Sequence, residues 1–128
     1  MKAMHDLDTE DVQWINVVGH LWRGKPTVFN GHTAIHKGMS AHDNCAVDTV
    51  EIHQLTPTVV VAIATMRFGE SFAPGKFVKT RGSFTMMKRD TVWKIAQFQN
   101  TFIDPKAEHD DIPKWAATGF FPGGAPPR

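Results

Sequence analysis

Cysteine is nearly missing from this chain: Cys45 is the only one in 128 residues. No intrachain disulfide can form, which fits a reducing compartment and gives the expectation of a cytoplasmic protein. Long hydrophobic runs are lacking as well. No stretch approaches the ~20 apolar residues of a membrane-spanning helix. The opening MKAMHDLDTE is polar and acidic, unlike a secretory signal. Neither sign of charge predominates, with fourteen Lys plus Arg against thirteen Asp plus Glu and a net charge of +1. Nucleic-acid binding usually needs a basic face, so it is not expected here. Lys76, Lys79, Arg81, Lys88, Arg89 and Lys94 do gather in one region, but their spacing reads as a solvated sheet face.

The common catalytic and cofactor signatures are also missing. There is no HExxH and no CxxC pair. No GxGxxG opens a helix, there is no P-loop, and Ser40, Ser71 and Ser83 sit in no GxSxG elbow. No cofactor is therefore expected. The chain holds seven histidines, of which His32 and His36 have the i,i+4 spacing of a helical metal pair. Without a further ligand motif they read as an ordinary polar face, and no metal site is expected.

What remains is a chain of one-domain length, 41% hydrophobic, with no internal repeat. Residues 1–10 read as a short leader and 105–128 as a C-terminal extension. Residues 12–18 carry apolar side chains on both faces and read as a strand, interrupted by Asn16 and ended by Gly19. A second short strand is expected over 26–29. A short helix follows, capped by Asn30 or Thr33 and weakened by Gly38. Residues 47–55, 58–66, 77–88 and 92–102 then alternate as strands, the last two joined by a tight turn at KRDT. IPKWAATGFF reads as a docking segment before a frayed PGGAPPR tail. These elements predict an α+β fold.

One set of residues points to a ligand. His20 and His36 are candidate catalytic groups, because an imidazole exchanges protons near neutral pH. Trp14, Asn16, Trp22, Met66 and Asn100 are candidate ligand-binding residues, with the amides orienting an oxygen and the rings and thioether forming walls. Each also has a plainer role, the amides at strand edges and the tryptophans as core.

The segments DVQWINVVGHLWRG, NGHTAIHKG and TRGSFTMMKRDTVWKIAQFQNT resemble the nuclear transport factor 2-like superfamily over residues 8–104, and within it the SnoaL-like and SgcJ/EcaC-type proteins. The resemblance implies a cone-shaped, strongly curved antiparallel β-sheet packed against a small number of helices and enclosing a pocket. Asn16 stands where steroid isomerases of the superfamily carry an aspartate base, and Gln99 where many relatives have histidine. The resemblance also implies that part of the usual N-terminal helical region is lacking. A homodimer, or the IPKWAATGFF segment, is then expected to cover the sheet. The function expected is binding, noncatalytic or of uncharacterised purpose, of a small hydrophobic or polyketide-like molecule in a pocket of the curved sheet. The alternative is a cofactor-independent lyase or isomerase, akin to a polyketide cyclase or dehydratase, that moves a proton through a pocket histidine.

Overall fold

A computed structural model describes residues 2–38, 44–69 and 75–105. In chain order the elements are α1 (Lys2–His5), β1 (Asp8–Ile15), β2 (Leu21–Arg23), α2 (Lys25–Lys37), β3 (Cys45–Thr56), β4 (Val59–Gly69), β5 (Phe77–Arg89) and β6 (Val92–Phe102). The six strands form one sheet in the order β2-β1-β6-β5-β4-β3. The four long strands lie where alternation places them, because period-two patterning is a direct consequence of the pleat. Residues 1–10, read as a leader, carry α1 and the first residues of β1. The IPKWAATGFF segment lies outside the described residues.

The α+β class holds, but the cone does not. The sheet is mixed, since β1 runs parallel to β6 while every other pair is antiparallel. It is open and not strongly curved: β2 forms one edge and β3 the other, with no pairing between them. All twelve residues of β3 are exposed. The physical reason is the reach of the helical layer. Helix α2 packs on β1 and β2, at one end of the sheet, so nothing draws the far strands around it.

Two local differences lie in the first part of the chain. The strand expected over 12–18 is shifted back to 8–15, because the Asn16 side chain ends it. Asn16 Oδ1 accepts the backbone N–H of Val18 at 3.2 Å and of His20 at 2.9 Å. Gly19 completes this corner with φ of 88°, a conformation open to glycine at little cost. The second difference is α2, which starts at Lys25 and absorbs the strand expected over 26–29. Pro26 suits a first helical turn, where its missing N–H is not needed. Val28, Gly31, His32 and Ile35 then fall on one face at helical spacing, with Val28 fully buried.

The core lies between that face of α2 and the sheet. It comprises Val12, Trp14, Val28, Ala64, Met66, Ile95 and Phe98, with Trp22, Phe68, Phe84 and Met86 packed around them. Trp14 and Phe98 face one another across the β1–β6 pairing with ring centroids 4.1 Å apart. Gly31 lets Trp22 lie directly against α2: a Cβ there would sit 2.8 Å from the indole ring.

Candidate functional site

Polar chemistry enters this apolar core at the junction of α1 and β1. His5 ends α1 and Asp8 opens β1, so the turn between them brings two side chains three residues apart into contact. His5 Nδ1 and Asp8 Oδ2 are 2.6 Å apart, a charge-assisted separation, and the residues are only 1% and 2% exposed. An ionised carboxylate can only accept, so toward it Nδ1 is the donor. Nε2 is buried and makes no hydrogen bond.

His32, from the buried face of α2, stacks on His5 at 4.8 Å between ring centroids. Trp14 and Trp22 meet its ring edge-on at 4.9 and 5.2 Å. Burial in this aromatic setting lowers the His32 pKa to about 4, with further lowering from the neighbouring His5 and His36 and a weak opposing pull from the Val28 carbonyl. His32 is therefore neutral at physiological pH. Burial pushes the Asp8 carboxyl above its ordinary value, and the His5 hydrogen bond and the charges of His5, Lys25 and Lys94 act against that rise.

His5 also lines a cleft of about 370 Å³ with Glu10 of β1 and Lys25, Pro26, Phe29 and Asn30 from the first turns of α2. The cleft joins an apolar wall, Pro26 and Phe29, to polar groups and a buried imidazole. A histidine oriented by a carboxylate is equipped for acid–base chemistry.

The residues singled out in the sequence are divided by the structure. Trp14 and Trp22 converge on His32, and Met66 lies in the core beside Phe98. Asn100 stands opposite Gly82, its Oδ1 buried without a hydrogen bond. Asn16 is occupied by the corner it forms. His20 and His36 are exposed, on that corner and on the outer side of α2. His5 and Asp8 were missed, because they lie in the stretch read as a leader. The usable signal was the His-x-x-Asp spacing just before a strand, where a turn can fold one side chain onto the other. Among the described residues, no three His, Cys, Asp or Glu side chains gather as a metal site. No helix among them is long and apolar enough to cross a membrane.

No family model and no curated protein matches the chain. Solved structures do. A protein with a cystatin-like fold from Caulobacter vibrioides aligns with a TM-score of 0.77 at 24% identity, over 86% of this chain and 80% of that one. An NTF2-like protein from Pseudomonas putida KT2440 aligns with a TM-score of 0.69 at 9% identity, over 87% and 78% of the two chains. The fold is NTF2-like. A type 2 hexachlorocyclohexane dehydrochlorinase shares this NTF2-like, cystatin-like architecture with a TM-score of 0.66 at 12% identity, over 79% of this chain and 70% of that one. At such identities the likeness concerns the fold, on which both small-molecule binding and cofactor-independent catalysis occur.

Proposed function

We propose that this NTF2-like chain binds a small, largely apolar, oxygen-bearing molecule in the His5 cleft and moves a proton on it without a cofactor. The reaction class is that of a lyase or isomerase. The observation that carries this reading is the buried 2.6 Å contact of His5 Nδ1 with Asp8 Oδ2, on a residue that lines the cleft. His5 is the base, Asp8 fixes its tautomer and stabilises the imidazolium that forms, and Phe29 and Pro26 hold the apolar body. Trp14, Trp22 and Met66 support the site from the core. Asn100 is a further polar group on the same sheet.

The reading is tested with a panel of small ketones, hydroxy-ketones and β-halo compounds, followed by NMR for exchange, isomerisation or elimination. Turnover that His5→Gln removes, with an unchanged unfolding temperature, supports it. Binding by ligand-observed NMR with no turnover on any compound favours the noncatalytic binder instead, for which the specific support is the depth of His5, only 1% exposed.

The homodimer belongs to this reading too. On β3, Val50 and Ile52 pair with Ala64 and Ala62 and so share the face that α2 covers elsewhere, yet they are 55% and 62% exposed. A second copy covering them is tested by the mass of the protein in solution. A cytoplasmic location is part of the same proposal, with the single cysteine as its support, and is tested by fractionating the cells that make the protein.

A further inference from the structure

An open sheet has two edges, and here they are unlike. β2 is three residues long and carries Arg23, so it offers little backbone to another strand. β3 runs for twelve residues, all exposed, and among the described residues it pairs only with β4. A long edge strand presents a row of backbone N–H and C=O groups to any strand that meets it. Proteins commonly blunt such edges with Lys, Pro, bulges or brevity. The β3 sequence, CAVDTVEIHQLT, holds no Lys, Arg, Pro or Gly, and Val47, Thr49, Val50, Ile52 and Thr56 are β-branched residues that favour extended pairing. Its irregularities lie between Val47 and Thr49 and between Gln54 and Thr56, so residues 49–54 form a regular run along the edge.

The side chains of that run select the strand that fits it. Val50 and Ile52 share a face with Ala64 and Ala62, their partners on β4, while Glu51 and His53 share the other face with Ile63 and Val61. Residues opposite one another across a strand pair lie on one face. Two copies of β3 related by a two-fold axis can therefore pair antiparallel only about a residue, never about the point between two. Two such centres use most of 49–54. Centred on Glu51, the two carboxylates stand directly opposite, which is destabilising. Centred on Ile52, Glu51 of each copy faces His53 of the other, Ile52 meets its own counterpart, and Val50 faces Gln54. Charge complementarity selects the second. Asp48, the other acidic residue of the strand, is already held by Arg67 Nε at 2.8 and 2.9 Å. We infer that β3 is a strand-addition surface whose occupant is β3 of a second copy, paired antiparallel about Ile52, so that two six-stranded sheets continue into one. The inference rests on the homodimer reading and names its contact: main-chain hydrogen bonds join the edges, and the side-chain pairs set the register. The His5 cleft, lined from α1, β1 and α2, lies toward the other edge of the sheet and stays clear of the contact.

The test is sedimentation of the full 128-residue chain at micromolar concentration, as wild type, His53→Glu and the double variant Glu51→Lys/His53→Glu. Both substituted residues are exposed, so the fold of each copy is kept. Wild type should be a dimer. His53→Glu sets carboxylates against each other in two cross-strand pairs and should weaken the dimer about tenfold. The double variant restores opposite charges in both pairs and should recover it. Thiol cross-linking in a Cys45→Ser background gives a second readout. Ile52→Cys should join to its counterpart through a short bifunctional reagent, whereas Thr56→Cys, displaced along the strand from the axis, should not. A wild-type monomer overturns the edge pairing and the homodimer together. A dimer that ignores His53→Glu, or that fails to cross-link at residue 52, overturns the edge pairing and leaves the homodimer standing. Weakening by His53→Glu that the double variant does not reverse overturns the register about Ile52.

Discussion

His5 Nδ1 and Asp8 Oδ2 lie 2.6 Å apart across the turn from α1 into β1, with both side chains almost fully buried. The carboxylate selects the tautomer of the imidazole, and that choice can be observed directly. In ¹⁵N spectra of the histidine side chains, His5 should show a protonated Nδ1 and an unprotonated Nε2. In Asp8→Asn the amide can donate as well as accept, so the alternative tautomer should appear. A wild-type His5 protonated only on Nε2 would remove the base from the proposed mechanism.

His32 makes stability depend on pH. Its folded pKa of about 4 lies below the ordinary 6.5, so between these values the unfolded chain binds more protons than the folded one. Its stabilising contribution is whole above about pH 6.5 and is lost as pH falls through 4. The full span corresponds to roughly 3 kcal/mol at ~1.4 kcal/mol per unit. Asp8, with a raised pKa, has the opposite sign: its contribution is whole at low pH and falls as pH rises. Comparison with His32→Gln isolates the histidine. Urea unfolding at pH 7 and pH 4.5 should show a larger acid loss in wild type than in the variant by about 2 kcal/mol.

Gly31 tests whether space or helix propensity decides. Alanine in a helix interior is favoured over glycine by roughly 0.5–1 kcal/mol. Here the new Cβ would lie within 2.9 Å of three atoms of the rigid Trp22 ring, and overpacking costs roughly 1–3 kcal/mol. The clash wins. Gly31→Ala should lower the unfolding free energy by about 1 kcal/mol and shift the Trp22 fluorescence.

Asp90 forms the tight turn between β5 and β6 with φ of 55°, the only non-glycine residue with positive φ among those described. A left-handed backbone costs a residue with a Cβ roughly 1–2 kcal/mol, and Asp softens that cost through local hydrogen bonding. Asp90→Ala should therefore destabilise by about 1 kcal/mol, and Asp90→Gly should not. Thermal unfolding of the two variants checks the ordering. Equal effects would place the importance of Asp90 in its side chain.

The four long strands from 45 to 102 were legible because alternation and turn chemistry are local. The tight turn at KRDT was legible for the same reason. The start of α2 was not: Pro26, Val28 and Phe29 fit a short extended run equally well until Trp22 is seen packed against Gly31. Asn16 read as a lining residue, and its amide instead closes the corner, since a hydrogen bond to near neighbours closes only a short loop. His20 and His36 drew notice as titratable groups beside motif residues. Pattern alone cannot say that each faces solvent.

By itself the sequence determined the α+β class and the long strands, which follow from side-chain periodicity along a continuous segment. Tertiary structure alone decided that β1 joins β6 in parallel, that the sheet stays open, and that His5, Asp8 and His32 share one buried pocket of rings. Those outcomes depend on contacts between segments distant in the chain and on which side chains lose water together. Burial makes His32 neutral, and the turn from α1 into β1 brings His5 onto Asp8.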